Sequence, residues 1–315
     1  MGKMLFIVNP RSGKALIRNR LLEIIDLFIK ADWEVEVHVT QAQLDAMQAA
    51  YQKGSDVDMI VCSGGDGTLS ETISGMMRLK NPPLLGYIPA GSTNDFASSL
   101  RIPSRIMAAA DNVITGTPEA IDIGYFCRER TFVYVAGFGA FTEVSYMTPQ
   151  EKKNLLGHQA YMLEGMKSLA NIKSYTMRVE ADDFCMEGEF IFGMVTNTTS
   201  VGGFKGLVAQ DVALNDGLFE VLIIRTPRTA VELTNILSSM ILKEEQNEYV
   251  HRFKTSRLRI MSEEPVDWVL DGEFGGSRTD VEIENLSKRI EIVSGLVKKV
   301  EKKSELVYNE YLLAF

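Results

Sequence analysis

The stretch Ser63-Gly64-Gly65-Asp66-Gly67-Thr68-Leu69 carries residue types suited to chemistry. Its three glycines lack Cβ atoms, so the backbone can bend sharply and approach a ligand closely. An apolar run, Met59–Cys62, precedes it, and a helical pattern from Leu69 to Leu79 follows. Strand, glycine turn and helix in that order aim unpaired N–H groups and the positive end of a helix dipole at one point. A phosphate is the natural occupant there. An aspartate in such a loop repels a bare anion but suits a divalent cation, which points to a nucleoside triphosphate with Mg²⁺. Taken alone, the turn is equally compatible with an α/β unit that binds nothing.

Two further polar turns have the same form. Asn9-Pro10-Arg11-Ser12-Gly13-Lys14 follows the apolar run Met4–Val8, and lacks the spacing and Lys-Ser/Thr ending of a P-loop. Pro89-Ala90-Gly91-Ser92-Thr93-Asn94-Asp95-Phe96-Ala97 again follows a strand and opens a helix. Its polar residues after Gly91 exceed what one helix cap needs, which favours ligand contact over capping alone.

The elements that must position these turns alternate. Strands are predicted at 4–8, 33–39, 59–62 and 84–88, and helices near 21–31, 41–53 and 69–79. That order implies βαβ crossovers and a doubly wound parallel sheet over residues 1–118. Ligands bind at the carboxyl ends of such strands, so the three turns are expected to converge on one crevice. From about Glu119 the texture changes to short strands near 121–125, 131–136, 176–181, 189–196, 218–224, 258–261, 266–270, 279–284 and 289–293. Over residues 119–299 this reads as an antiparallel β-sandwich, interrupted by helical stretches near 149–169 and 229–244. The apolar segment 305–315 is expected to pack back on the first domain.

Composition narrows the partners. A chain of 315 residues exceeds one compact core, hence two domains. A net charge of −9 argues against nucleic-acid binding and gives no general attraction to anionic lipid. Cys62, Cys127 and Cys185 form neither a disulfide framework nor a zinc set. With no signal-peptide pattern and no apolar span of ~20 residues, a cytoplasmic location is expected. A homodimer stays open.

Together the motifs carry a resemblance. Asn9-Pro10, Ser12-Gly13-Lys14, Gly64-Gly65-Asp66-Gly67-Thr68 and Pro89–Ala97 occur in the order found in the soluble bacterial diacylglycerol kinase family, related to sphingosine and ceramide kinases. Ile121-Asp122-Ile123-Gly124, Leu214-Asn215-Asp216-Gly217-Leu218 and Asp271-Gly272-Glu273 resemble its later motifs. The glycine-Asp turn is shared with NAD kinases and resembles one in phosphofructokinases. Ser92 stands where the family usually has Thr, Gln210 where it has Pro, and Gly139 where many members have Asp.

The resemblance implies an ATP- and Mg²⁺-dependent kinase acting on a lipid hydroxyl. Phosphoryl transfer needs positioning, neutralisation of phosphate charge and removal of the acceptor proton. Asn9, Pro10, Ser12, Gly13, Lys14, Gly64, Gly65, Gly67, Thr68, Gly91, Ser92, Thr93 and Asn94 would seat the nucleotide, with Thr40 flanking it by resemblance. Asp66, Asp95 and Asp122 stand on turns expected to converge, and their repulsion calls for Mg²⁺. Asp271 is the candidate base, with Glu273 the competing assignment, although Asp-Gly is also a strong hairpin signal. A structural Mg²⁺ is implied at Asp216 and the Leu218 carbonyl. Glu71 favours a helix N-terminus or reaches the metal.

The acceptor would be met at the inner membrane face, transiently. Phe138, Phe141, Tyr146, Leu155, Leu156, Tyr161, Met162 and Met166 are core or an acyl groove. Diacylglycerol is the expected acceptor. The alternatives are an NAD kinase-like enzyme with a soluble acceptor and a nucleotide-binding regulatory protein without turnover.

Overall fold

The continuous apolar runs of the first ninety residues form strands covered on both faces. In a computed structural model describing residues 1–139, 173–201, 212–242 and 248–295, four strands lie parallel in the order β2-β1-β3-β4. They are β1 (Gly2–Val8), β2 (Trp33–Val39), β3 (Met59–Gly64) and β4 (Leu84–Pro89). Met4–Ile7 and Ile60–Cys62 are fully buried. The helices are α1 (Leu21–Lys30), α2 (Asp45–Lys53), α3 (Asp66–Met76), α4 (Asp95–Ser99) and α5 (Ile106–Thr115). Phe28 of α1 meets Phe6 of β1 edge-on at 5.6 Å.

Some boundaries differ from expectation for local reasons. Helix α3 begins at Asp66 rather than Leu69, because Gly65 is its extended N-cap and Asp66-Gly67-Thr68 form the first turn. Helix α2 begins at Asp45 rather than Gln41, because Leu44 is left-handed at φ 65° and breaks the spiral before it. The sequence reading did not single out α5.

The second half is antiparallel. Its strands are β5 (Thr117–Phe126), β6 (Arg130–Phe132), β7 (Val135–Gly139), β8 (Tyr175–Ala181), β9 (Cys185–Thr196), β10 (Phe219–Arg225), β11 (Val250–Thr255), β12 (Arg257–Leu270) and β13 (Glu273–Ser294). Helix α6 (Ala230–Leu242) stands between β10 and β11. β8 and β7 lie end to end in the slot between β9 and β12. Their core gathers Phe126, Phe138 and Trp268, with the Trp268 ring 5.0 Å from Phe138 and 5.4 Å from Phe126. Phe138 is therefore core rather than groove. The pairs of short strands expected at 258–270 and 279–293 are two long ones, β12 and β13. β11 was not foreseen, because Val-His-Arg-Phe-Lys-Thr shows no clean alternation.

β12 turns into β13 through Asp271 and Gly272, with φ 49° and 85° and Leu270 paired to Glu273. Two successive positive φ values fit the tight turn that Asp-Gly favours. β13 then runs along β5 and meets β4 in parallel at Ile292–Leu85, so strand pairing continues from one half into the other. The expected helix at 149–169, Phe141 and the other apolar residues to Met166, Gln210 and the segment 305–315 lie outside the described residues.

Candidate active site

The sheet ends hold the three glycine turns together. The Asn9 amide donates to Ser63 O and the Ala90 amide to Gly64 O, both at 2.8 Å. Asn9 Nδ2 donates to Thr68 Oγ1 at 2.9 Å, and the Gly65 amide to Ser12 Oγ at 2.8 Å. The turns are close enough to demand glycine. A Cβ on Gly91 would stand 2.6 Å from Gly65 Cα, and one on Gly13, at φ +51°, would stand 2.4 Å from Ala90 O. Gly67, by contrast, has open space beside it. Asn94 closes the last turn by bonding Gly91 through both its amide oxygen and nitrogen at 2.9 Å. The Thr40 amide donates to Val8 O at 2.9 Å, which sets Thr40 at the same sheet edge. Pro10 O accepts from Arg18 Nε at 2.8 Å. Lys14, Ser92 and Thr93 are exposed.

Asp66 stands in the first turn of α3 and reaches the start of α4. Its carboxylate accepts from the amides of Asp95 at 3.2 Å and Phe96 at 3.4 Å, both long. Burial pushes its carboxyl up to about 6, and repulsion from Asp95 and, more weakly, Asp271 adds to this against those two amides. Asp95 is buried and accepts from Ser200 Oγ at 2.7 Å. Asp66 has no ion pair among the described residues. A half-buried and a buried carboxylate side by side suit a hard divalent cation. No cluster of three or more metal-ligating side chains occurs among the described residues.

Asp271 is satisfied very differently. Its carboxylate accepts from the amides of Val133, Tyr134 and Val135 at 2.8, 3.0 and 3.1 Å. A fourth bond comes from Ser70 Oγ of α3 at 2.6 Å, across 201 residues of chain. Burial raises its carboxyl above the ordinary range, with Ser70 and the three amides opposing. Glu273, two residues on, is partly buried, and its carboxylate makes no hydrogen bond among the described residues. Both line a cleft of ≈ 920 Å³ whose wall includes Gly67, Ser70, Glu71, Met77, Arg130 and Leu286.

Three expected contributors stand elsewhere. Asp122 does not join Asp66 and Asp95; it is fully buried and accepts from the amides of Gly217 at 2.6 Å and Lys288 at 2.7 Å. Its charge is spent on tying β5 to the 214–217 turn and to β13. Glu71 caps a neighbouring helix: it accepts from the Leu44 amide at 2.9 Å, ahead of α2. Burial raises its carboxyl, which the Leu44 amide opposes and Glu273 reinforces. Asp216 accepts from the Leu218 amide at 3.0 Å, and Lys254 Nζ lies 3.7 Å away. An ammonium thus faces the carboxylate expected to hold a second Mg²⁺, and that donor set does not make a divalent site by itself.

Ser70, Ser200 and Tyr134 were missed. Ser70 and Ser74, one turn apart on α3, reach Asp271 and Thr131 Oγ1, the latter at 2.9 Å. Asp95 and Ser99 on α4 reach Ser200 and Thr198 in the same way. The four-residue spacing of small polar side chains on helices that open at glycine turns was the available signal. Nothing in the sequence marks Tyr134.

Comparison with known proteins agrees with this plan. Residues 3–126 match the family model of the diacylglycerol kinase catalytic domain, and residues 135–293 match that of the YegS C-terminal NAD kinase beta sandwich-like domain. A diacylglycerol kinase of Bacillus subtilis (strain 168) is 36% identical over 296 residues, covering 93% of this chain and 96% of its own. A diacylglycerol kinase of Staphylococcus saprophyticus subsp. saprophyticus is 35% identical over 288 residues, covering 91% and 93%. A crystal structure of a protein from Bacillus anthracis str. Sterne superposes with a TM-score of 0.80 at 26% identity, covering 93% and 95%. With relatives of this identity matching over nearly its whole length, the chain belongs to the diacylglycerol kinase catalytic-domain family and is a kinase.

Proposed function

We propose that the protein transfers the γ-phosphoryl group of ATP to the free hydroxyl of diacylglycerol, giving phosphatidate. The observation that carries this is the 2.6 Å bond from Ser70 to Asp271, which brings the nucleotide turns of residues 1–118 against the Asp271–Glu273 turn of residues 119–299. The backbone amides and hydroxyls of the three glycine turns seat the phosphates. Bound there, Mg²⁺ would be held by Asp66 and Asp95 and would neutralise phosphate charge.

The acceptor hydroxyl enters from the cleft, whose Met47, Met77 and Leu270 are apolar. Glu273 takes its proton. Asp271 is the poorer base, because four donors already occupy its lone pairs, whereas Glu273 keeps its carboxylate for the cleft. Asp271 instead locks the turn that presents Glu273. The acceptor is a membrane lipid, so the enzyme works transiently at the cytoplasmic face of a bilayer. No helix among the described residues is long and apolar enough to cross one.

The test offers labelled ATP with diacylglycerol, phosphatidylglycerol, sphingosine, ceramide or NAD in mixed micelles, with and without Mg²⁺. Transfer to diacylglycerol is expected, and EDTA abolishes it. Transfer to NAD alone would sink the lipid reading.

A further inference from the structure

Tyr134 stands behind the Asp271–Glu273 turn that lines the cleft. Its amide donates to Asp271 Oδ1 at 3.0 Å, and its carbonyl accepts from the Asn197 amide at 3.1 Å, so its backbone is pinned on both sides. The residue is only 8% exposed. Its hydroxyl makes no hydrogen bond among the described residues, and its oxygen is not sealed from solvent. A phenol held by a buried ring, with its oxygen open and no protein partner, is available to donate to a ligand.

The surroundings say which ligand. Asp66, Asp271, Asp95 and Glu273 all act electrostatically on this hydroxyl, two from the nucleotide wall and two from the acceptor wall. Gly272, between Asp271 and Glu273, leaves room: a Cβ there would stand 3.9 Å from the Tyr134 oxygen. Burial, and then these negative charges, push the phenol well above its ordinary pKa, so it keeps its proton. The hydroxyl is thus a donor among carboxylates that only accept. The amides of residues 133–135 and Ser70 Oγ, close by, are already committed to Asp271.

We propose that Tyr134 is a catalytic residue whose hydroxyl donates a hydrogen bond to a non-bridging oxygen of the phosphoryl group in transfer. This rests on the kinase reading of the cleft. The acceptor oxygen bonds to the γ-phosphorus as the bond from that phosphorus to the β–γ bridging oxygen breaks. The electron pair leaves on the nucleoside diphosphate, the acceptor proton passes to Glu273, and Tyr134 retains its own proton. A preorganised donor aimed at developing charge acts in the transition state more than in the ground state.

Tyr134→Phe keeps the ring and deletes only the donor. The expected result is a fall in kcat of about 10²-fold, with KM for ATP and for diacylglycerol within about twofold and the melting temperature unchanged. Affinity for ADP with aluminium fluoride, a mimic of the phosphoryl group in flight, falls about tenfold or more, while affinity for ADP alone stays the same. A variant with wild-type kcat overturns the proposal, as does equal weakening of ADP and ADP–aluminium fluoride binding. Those outcomes leave the kinase reading standing when the wild-type protein phosphorylates diacylglycerol. A wild-type protein that phosphorylates no hydroxyl acceptor overturns both.

Discussion

The two walls of the cleft treat their carboxylates in opposite ways. On the nucleotide wall, Asp66 receives two amides at 3.2 and 3.4 Å and sits beside Asp95. On the acceptor wall, Asp271 receives four donors between 2.6 and 3.1 Å. Asp271 is buried and Asp66 half-buried, yet Asp271 is the one well supplied with donors. Donor supply is what separates their roles. A carboxylate with filled lone pairs holds structure together, whereas one with weak partners and a like-charged neighbour is stabilised by a cation. Asp122, with two short amide bonds, belongs with Asp271 in this respect.

The largest effect expected from this contrast is on turnover. Asp66→Asn should lower phosphoryl transfer by about 10³-fold or more, since it removes the group placed to hold the cation. In metal-free buffer the same variant should melt higher than wild type, because a penalised charge is gone. Lower melting would mean that Asp66 is already satisfied by its own surroundings, and the contrast would break.

Next comes the acceptor wall. Glu273→Gln should reduce kcat by about 10²-fold or more with stability within roughly 0.5 kcal/mol. Asp271→Asn should cost about 3 kcal/mol in denaturant unfolding, because an amide nitrogen would face N–H donors. If Asp271→Asn left stability intact and abolished turnover, while Glu273→Gln did little, the two roles would have to be exchanged.

A pH titration sharpens the comparison. The Asp66 pKa of about 6 in the folded protein lies above the ordinary 3.8, so the folded state binds the extra proton between those values. Stability of the metal-free protein should therefore fall as pH rises from about 4 through 6, by at most roughly 2–3 kcal/mol, and level off above. Saturating Mg²⁺ should flatten this slope in a calorimetric pH series. A metal-free protein that gained stability over that window would refute the assignment.

The smallest effects distinguish glycines. Gly91→Ala should destabilise by about 2 kcal/mol and weaken nucleotide binding, because its Cβ would meet Gly65 Cα at 2.6 Å. Gly67→Ala has no such contact, and in the first turn of α3 it should stabilise by roughly 0.5 kcal/mol. Equal costs at the two positions would show that the turns are not packed backbone to backbone.

Much of this fold was legible because it is local. Apolar runs followed by glycine turns mark β1, β3 and β4 and the points where they stop, and a parallel sheet places all three stops at one edge. Asp271-Gly272 reads as a hairpin, and it is one, so the turn signal and the site coincide. The start of α3 was legible only in part: apolar periodicity begins at Leu69, but the helix begins where Gly65 caps it. β11 was hidden because its polar residues mask any alternation.

The sequence by itself determined the kinds of element, the positions of the glycine turns and the carboxylates set among them. Only the tertiary structure decided what each carboxylate does. Asp66, Asp122 and Asp271 look alike as aspartates on turns, yet their donors come from residues 30, 166 and 138 positions away at the farthest amides. Glu71 likewise caps α2, 27 residues back, rather than its own helix. Periodicity can say which face a side chain lies on, but not which amide of a distant strand will meet it there. In a buried cleft that meeting decides whether a carboxylate stays charged, calls for a cation, or leaves a neighbouring tyrosine hydroxyl free to donate.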